Sequence, residues 1–262
     1  MKHETVANQN LKINGSGSAG GGKYEDVKIN GNGKVFGDIE CKLLKIDGSG
    51  KIEGSVNSEV IKINGSCSID GNTIAREMKV NGSSTLDGKA IVDDLTVNGS
   101  AKFLKDVQIE EFYVNGTSKV HGKVTGGNVR VNGRLKVSES CEVEKFRSDG
   151  SIEINGLLSG DHIELNVGFH SSAREIGGEV ITVKQQHTNG LIKQIINFFM
   201  QKSDLLEADV IEGDEVRLEV TKAKLVRGKH IVIGDKCEID RVEYTESLEV
   251  SKGAKVKEEV KI

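Results

Sequence analysis

The sequence predicts an all-β protein, a parallel β-helix of 17-residue turns, and three observations carry that reading. Asn-Gly or Asp-Gly recurs at a fixed step, beginning at Asn14, Asn30, Asp47, Asn64, Asn81, Asn98, Asn115, Asn132 and Asp149; the first gap is 16 residues and every later one is 17. Apolar residues occupy the same places in every unit and fall two apart, the period of a strand with one buried face. The 262 residues include 32 glycines and no proline, so turns are frequent and Pro-rich disordered arms are not expected. Periods near 20 residues mark stacked repeats, each too small to bury a core alone.

Each unit is counted from the residue before its apolar-Asn-Gly triplet. Position 2 is then Ile13, Ile29, Ile46, Ile63, Val80, Val97, Val114 and Val131, and position 8 runs from Val35 and Ile52 to Phe103 and Ile154. Position 17 holds Leu44, Ile61, Met78, Leu95 and Phe112, while position 6 stays small in Gly33, Gly50, Cys67, Ser84 and Ala101. β-branched residues dominate these sites, as strands prefer. About three short strands per unit are expected, with Asn-Gly as one turn because both residues tolerate φ > 0. A second glycine at position 10, as in Gly37, Gly54, Gly71 and Gly88, supplies another turn. Asn-Gly between strands usually marks a hairpin. Uniform intervals favour coiling instead, since like columns then stack in parallel register and the asparagines form a ladder of amides bonded turn to turn. About ten such units would make a rod of roughly 45–50 Å.

The expected organisation is a flexible N-terminus at 1–10, a β-helix over 11–184, a helical insertion at 185–206 and a β-helix continuation of about three turns over 207–262. The insertion has helical spacing in Leu191, Ile192, Ile195, Ile196 and Phe199; Phe198 and Met200 widen its apolar arc beyond one packed face. Leu191, Ile192, Ile195, Phe198, Phe199 and Met200 therefore form a candidate membrane or lateral contact, or else a helix docked on the solenoid. The 17-residue step returns in Val216, Ile233 and Val250, and in Val220, Cys237 and Ala254. Val256, Val260 and Ile262 carry no evident polar cap, which makes them the candidate polymer interface.

Chemistry is sparse. Net charge is −4 with a pI near 5.9, so no global basic field recruits nucleic acid. No signal core opens the sequence and no apolar run reaches bilayer length, so a reduced, cytoplasmic setting is expected. Gly17-Ser-Ala-Gly-Gly-Gly-Lys23 has the glycine-lysine skeleton of a phosphate loop, yet Tyr24 stands where the Mg²⁺-binding hydroxyl belongs. A turn of the first unit is the better reading. His3, His121, His162, His170, His187 and His230 show no ligand pairing, and the four cysteines show no CxxC, so neither metal nor cofactor is expected. Asn-Gly-Ser/Thr matches to the glycosylation pattern follow from the repeat itself. Lysine columns, such as Lys28, Lys45, Lys62 and Lys79, suit either a solvated face or an anionic polymer. Turns this uniform leave no room for the long loops of an active cleft, so no enzyme is expected.

The segments KVFGDIECKLLKIDGSGKIEGSVNSEVIKING and KVHGKVTGGNVRVNG resemble the bactofilins, bacterial polymer-forming cytoskeletal proteins with the pattern G-x-[VI]-x-G-x-[IV]. The likeness extends over residues 11–183, and the closing IEGDEVRLEVTKAKLVRGKHIVIGDKCEIDRVEYTESL looks like a longer Bacillus-type branch. It implies a right-handed, three-sided β-helix that assembles end to end without nucleotide. The expected role is a cytoplasmic scaffold whose partners are its own copies and envelope-associated proteins, with any peripheral contact to the inner face of the cell membrane made through the apolar insertion rather than an anchor. The flexible Pro-rich tails and short apolar anchor of many bactofilins have no counterpart here. A monomeric β-helical module binding an anionic polymer or a protein partner is the alternative.

Overall fold

The computed structural model describes residues 9–186 and 205–262, and every described element is a β-strand. The chain divides into two units, Met1–Thr125 and Gly126–Ile262, each a parallel β-solenoid. The first holds β1 (Leu11–Ile13), β2 (Ser16–Lys23), β3 (Asp26–Ile29), β4 (Asn32–Ile46), β5 (Ser49–Glu53), β6 (Val56–Ile63) and β7 (Ser66–Ile69). It continues with β8 (Thr73–Val80), β9 (Ser83–Leu86), β10 (Ala90–Val97), β11 (Ser100–Phe103), β12 (Val107–Val114) and β13 (Thr117–Val120). From the boundary onward come β14 (Val124–Val131), β15 (Arg134–Val137), β16 (Cys141–Ser148), β17 (Ser151–Ser159) and β18 (His162–Val167). The last are β19 (Ser171–Gln185), β20 (Leu206–Leu218), β21 (Thr221–Ile233), β22 (Glu238–Val250) and β23 (Lys255–Lys261). The expected helix and its residues Leu191, Ile192, Ile195, Phe198, Phe199 and Met200 lie outside the described residues.

In the first unit each turn pairs with the one below in parallel: Ala90 faces Thr73 beneath and Val107 above, and Val97 faces Val80 and Val114. Three corners per turn fold the ribbon into three faces, and the side-chain alternation changes phase at one of them. Thr73 and Ala75 point in, Arg76 and Glu77 both stay outside, and Met78 and Val80 point in again. Asn81-Gly82 and Asp87-Gly88-Lys89 are the other two corners, where glycine takes the inward place and the phase is kept. The inward columns are buried stacks of Ile, Val and Leu, joined by an edge-on pair of Phe103 and Phe112 with centroids 6.4 Å apart.

The Asn-Gly corners work differently from the expectation. Positive φ among the described glycines occurs at Gly22, Gly37 and Gly126, and not at the Asn-Gly glycines. Those glycines are required by proximity: a Cβ on Gly82 would overlap the carbonyl oxygen of Gly65 in the turn below. Gly37, with φ of 95°, is the position where the left-handed region itself demands glycine. The stretch Gly17–Lys23 is not a turn but part of β2, paired to β4. Its glycine is again steric, since a Cβ on Gly21 would strike the Asp38 backbone.

The second unit departs from the 17-residue step. Glu153 pairs with Ser172 and Leu157 with Glu175, with a bulge between them. β19 then pairs directly with β20, Ser171 opposite Leu206 and Val183 opposite Leu218. β20 and β21 are strands of 13 residues joined by Glu219-Val220 alone, so this turn is shorter. Val216 consequently stacks on Ile231, while Leu218, Ile233 and Val250 form the next column; the sequence alignment of Val216 with Ile233 and Val250 is out of register. The tight connection places Val220 at φ 46°, unfavourable for a β-branched residue. Its N–H donates to Asp235 O and its carbonyl accepts from Leu206 N, both at 3.0 Å, which holds it there.

Gly82→Ala is expected to lower stability by about 1–3 kcal/mol, because backbone must move to admit the methyl. Exposed Ser83→Ala in the same corner should change it by less than about 0.5 kcal/mol. Chemical denaturation followed by circular dichroism compares the two.

Candidate functional site

The ladder of corner amides is continuous over much of the first unit. Asn30 Nδ2 donates to Asn14 Oδ1 at 2.8 Å, Asn64 to Asp47 at 2.7 Å, and Asn81 to Asn64 at 2.8 Å. Asn98 donates to Asn81 at 2.8 Å and Asn115 to Asn98 at 2.9 Å. Asp47 can only accept, so its second oxygen takes Lys45 Nζ at 2.7 Å. That bond and the one from Asn64 hold its carboxyl below the usual carboxylate range. In the second unit Asn166 donates to Asp149 at 2.7 Å, one step past the last Asn/Asp-Gly pair. The signal was available: Asn166 lies 17 residues after Asp149, with Val167 in place of glycine. Burial raises the Asp149 carboxyl, but Asn166 and the Arg147 guanidinium outweigh it and the net shift is downward.

The outer faces carry paired charges rather than a bare field. Stacked Lys28 and Lys45 pair with Asp26 and Asp47, each at 2.7 Å. The second unit holds a chain of five charged residues: Arg227 contacts Glu212 and Glu243, and Arg241 contacts Glu243 and Glu258. Glu243 sits between the two guanidinium groups with its side chain 13% exposed, and Arg227, then Arg241, hold its carboxyl below the usual range. Exposed pairs of this kind contribute little singly.

The cysteines lie in the core rather than on these faces. Cys41, Cys67, Cys141 and Cys237 are free and buried. Burial pushes the Cys67 thiol up to about 12 and the Cys237 thiol up to about 11, and raises Cys41 and Cys141 as well. Lys23, the lysine of the glycine-rich stretch, pairs with Glu40 at 2.8 Å, and Tyr24 Oη donates to Gly20 O at 2.8 Å. Among the described residues no cluster of His, Cys, Asp or Glu is placed to hold a metal ion, and no helix is long and apolar enough to cross a membrane.

What remains is the strand edges. β23 pairs only with β22, along Glu238–Tyr244, so the Ser247–Val250 half of β22 has no described strand above it. Val256 and Val260 are half-buried there, Val250 is 39% exposed and Ile262 61% exposed. In the first unit, β1 pairs only with β3 and β2 only with β4 among the described strands, leaving Leu11 half-buried.

With that geometry in place, residues 5–108 match the family model described as "Bactofilin: Polymer-forming cytoskeletal". Over that segment the chain is similar to the bactofilins, a polymer-forming cytoskeletal family. It is 42% identical over 92 residues to "Uncharacterized protein YhbF" of Bacillus subtilis (strain 168), and 35% identical over 92 residues to "Uncharacterized protein YhbE" of the same organism. Each match spans 35% of this chain, and 35% and 37% of the respective relatives, so about a third of their length is shared. No solved structure matches the chain.

Asn98→Ala removes one amide from an exposed ladder, and water can replace the lost partners, so the expected loss is about 0.5–1.5 kcal/mol rather than the larger penalty of a buried orphan. A thermal melt showing no change would mean the amides add nothing beyond solvation. The lowered carboxyls set a pH dependence. Their stabilisation is complete above the unfolded carboxylate pKa and is lost as pH falls through the folded one, so melting temperature should drop below about pH 4. Glu243→Gln should flatten that acid limb while lowering stability at pH 7.

Proposed function

We propose that this chain is a cytoplasmic cytoskeletal scaffold that polymerises without nucleotide by joining the terminal edges of its β-helix. The observation that carries the reading is the edge at β22 and β23, where the Ser247–Val250 half of β22 has no described strand above it and lies beside half-buried Val256 and Val260 and exposed Ile262. Polar capping turns ordinarily keep a solenoid from adding strands. A terminal edge of a second copy, such as β1 and β2 with Leu11 and Ala19, offers both strand and apolar surface to match. No nucleotide enters this scheme, since strand addition and apolar burial supply the driving force. Envelope-associated proteins are the expected cargo.

Ile262 donates its N–H back to Tyr244 O at 2.9 Å, so the alternate residue Lys261 directs its N–H away from β22. Lys261→Pro deletes that outward donor and leaves the internal ladder intact. Purified wild-type chain should form filaments by electron microscopy in nucleotide-free buffer. Lys261→Pro, or Val260→Lys, should shift it to small species with unchanged circular dichroism. Filaments of normal length in both variants would exclude this edge as the junction.

A further inference from the structure

One face of the first unit is unlike the rest of its surface. Asn57, Ile74, Ile91 and Gln108 stack in register along successive turns, giving an uncharged column. Ile74 is 44% and Ile91 40% exposed, and among the described residues they are the only two exposed large apolar side chains that are register partners. Phe36, exposed elsewhere, has Lys34 Nζ at 4.6 Å from its ring; among the described residues Ile74 and Ile91 stay exposed. On one side of the column runs Lys42, Glu59, Arg76, Asp93 and Glu110, and on the other Asp38, Ser55, Asn72, Lys89, Asp106 and Lys123.

We propose that this face is a lateral contact between two copies of the chain, packed with their solenoid axes antiparallel. A two-fold axis along the strand direction, passing between the turns of Ile74 and Ile91, sets each isoleucine on the other's copy. It also sets Arg76 opposite Asp93 and Asp38 opposite Lys123, each twice by symmetry. Glu59 opposite Glu110 is the one like-charge pairing. A parallel arrangement also pairs opposite charges, Asp38 with Lys42 and Lys89 with Asp93, but it sets Glu40 on its own copy and Asp106 on Glu110. The face is thus charge-complementary to a second copy, and the antiparallel direction carries fewer like-charge pairings.

The contact is small. About six strands at about 4.8 Å and five residues at about 3.3 Å cover roughly 450 Å², against about 800 Å² per partner in a stable complex. A single pair of chains thus holds weakly, while chains already joined end to end present the face repeatedly, and avidity makes bundles of filaments. In that form the inference rests on the polymer reading above.

Four full-length proteins test it by negative-stain microscopy and low-speed pelleting: wild type, Ile74→Asp with Ile91→Asp, Arg76→Asp, and Arg76→Asp with Asp93→Arg. Bundled filaments are expected for wild type and the charge-swapped double variant, and single filaments for the other two, with the pelleted fraction falling at least fivefold. Bundles that persist in the isoleucine variant, or a charge swap that fails to restore them, overturn the proposal. If none of the four forms filaments, the polymer reading fails separately. Sedimentation velocity up to millimolar concentration then reads the contact directly. A dimer with the same ranking among the variants supports it, and a monomer throughout overturns it.

Discussion

Everything in each unit depends on the vertical hydrogen bond from one turn to the turn directly below. Asn81 N donates to Ile63 O and Asn98 N to Val80 O, both at 2.8 Å, and the same bond recurs at corner after corner. Parallel registry at strand spacing forces the corners so close that a side chain cannot fit, which is why glycine follows asparagine. The glycine in turn lets the amide beside it reach its twin, so one distance sets the motif, the ladder and the columns together.

Stacking also creates a problem of identical neighbours. Apolar side chains and amides gain by lying over their own kind, whereas charges repel. The chain resolves this by alternating sign along a column, as in Lys42, Glu59, Arg76 and Asp93, or by pairing within a strand, as in Lys45 with Asp47. Acceptor-only Asp47 shows the limit of the ladder: it receives from Asn64 but has no proton for Asn30, and a lysine fills the gap. The surface is thus a consequence of the repeat as much as the core is.

The architecture was legible because Asn-Gly and the apolar columns share one period, and only coiling aligns both. The family likeness was legible in the same columns. What sequence hid was the reason for the glycines: composition shows that glycine is needed, and both positive φ and close approach demand it. The stretch Gly17–Lys23 misled for the same reason, since glycine clusters in strands packed edge to edge as readily as in turns. The change of step between β20 and β21 was hidden too. Ile233 and Val250 are true partners at 17 residues, whereas Val216 lies 17 before Ile233 by coincidence of pattern, and only the two-residue connection at Glu219-Val220, with its strained φ, reveals that the turn has shortened. The exposed edge could be suspected from apolar residues near Ile262, but which half of β22 stays uncovered depends on register, which no single strand discloses.

Consider the junction where Ser171 pairs with Leu206 and Val183 with Leu218. The partners are 35 residues apart there, about double the ordinary step, yet the ladder forms as it does elsewhere. Doubling a flexible loop adds only about 0.6 kcal/mol of closure entropy. A solenoid can therefore carry foreign sequence between two turns at almost no cost to its fold. This junction is a ready site for grafting a fluorescent or affinity module, displayed once per chain beside the β19–β20 ladder.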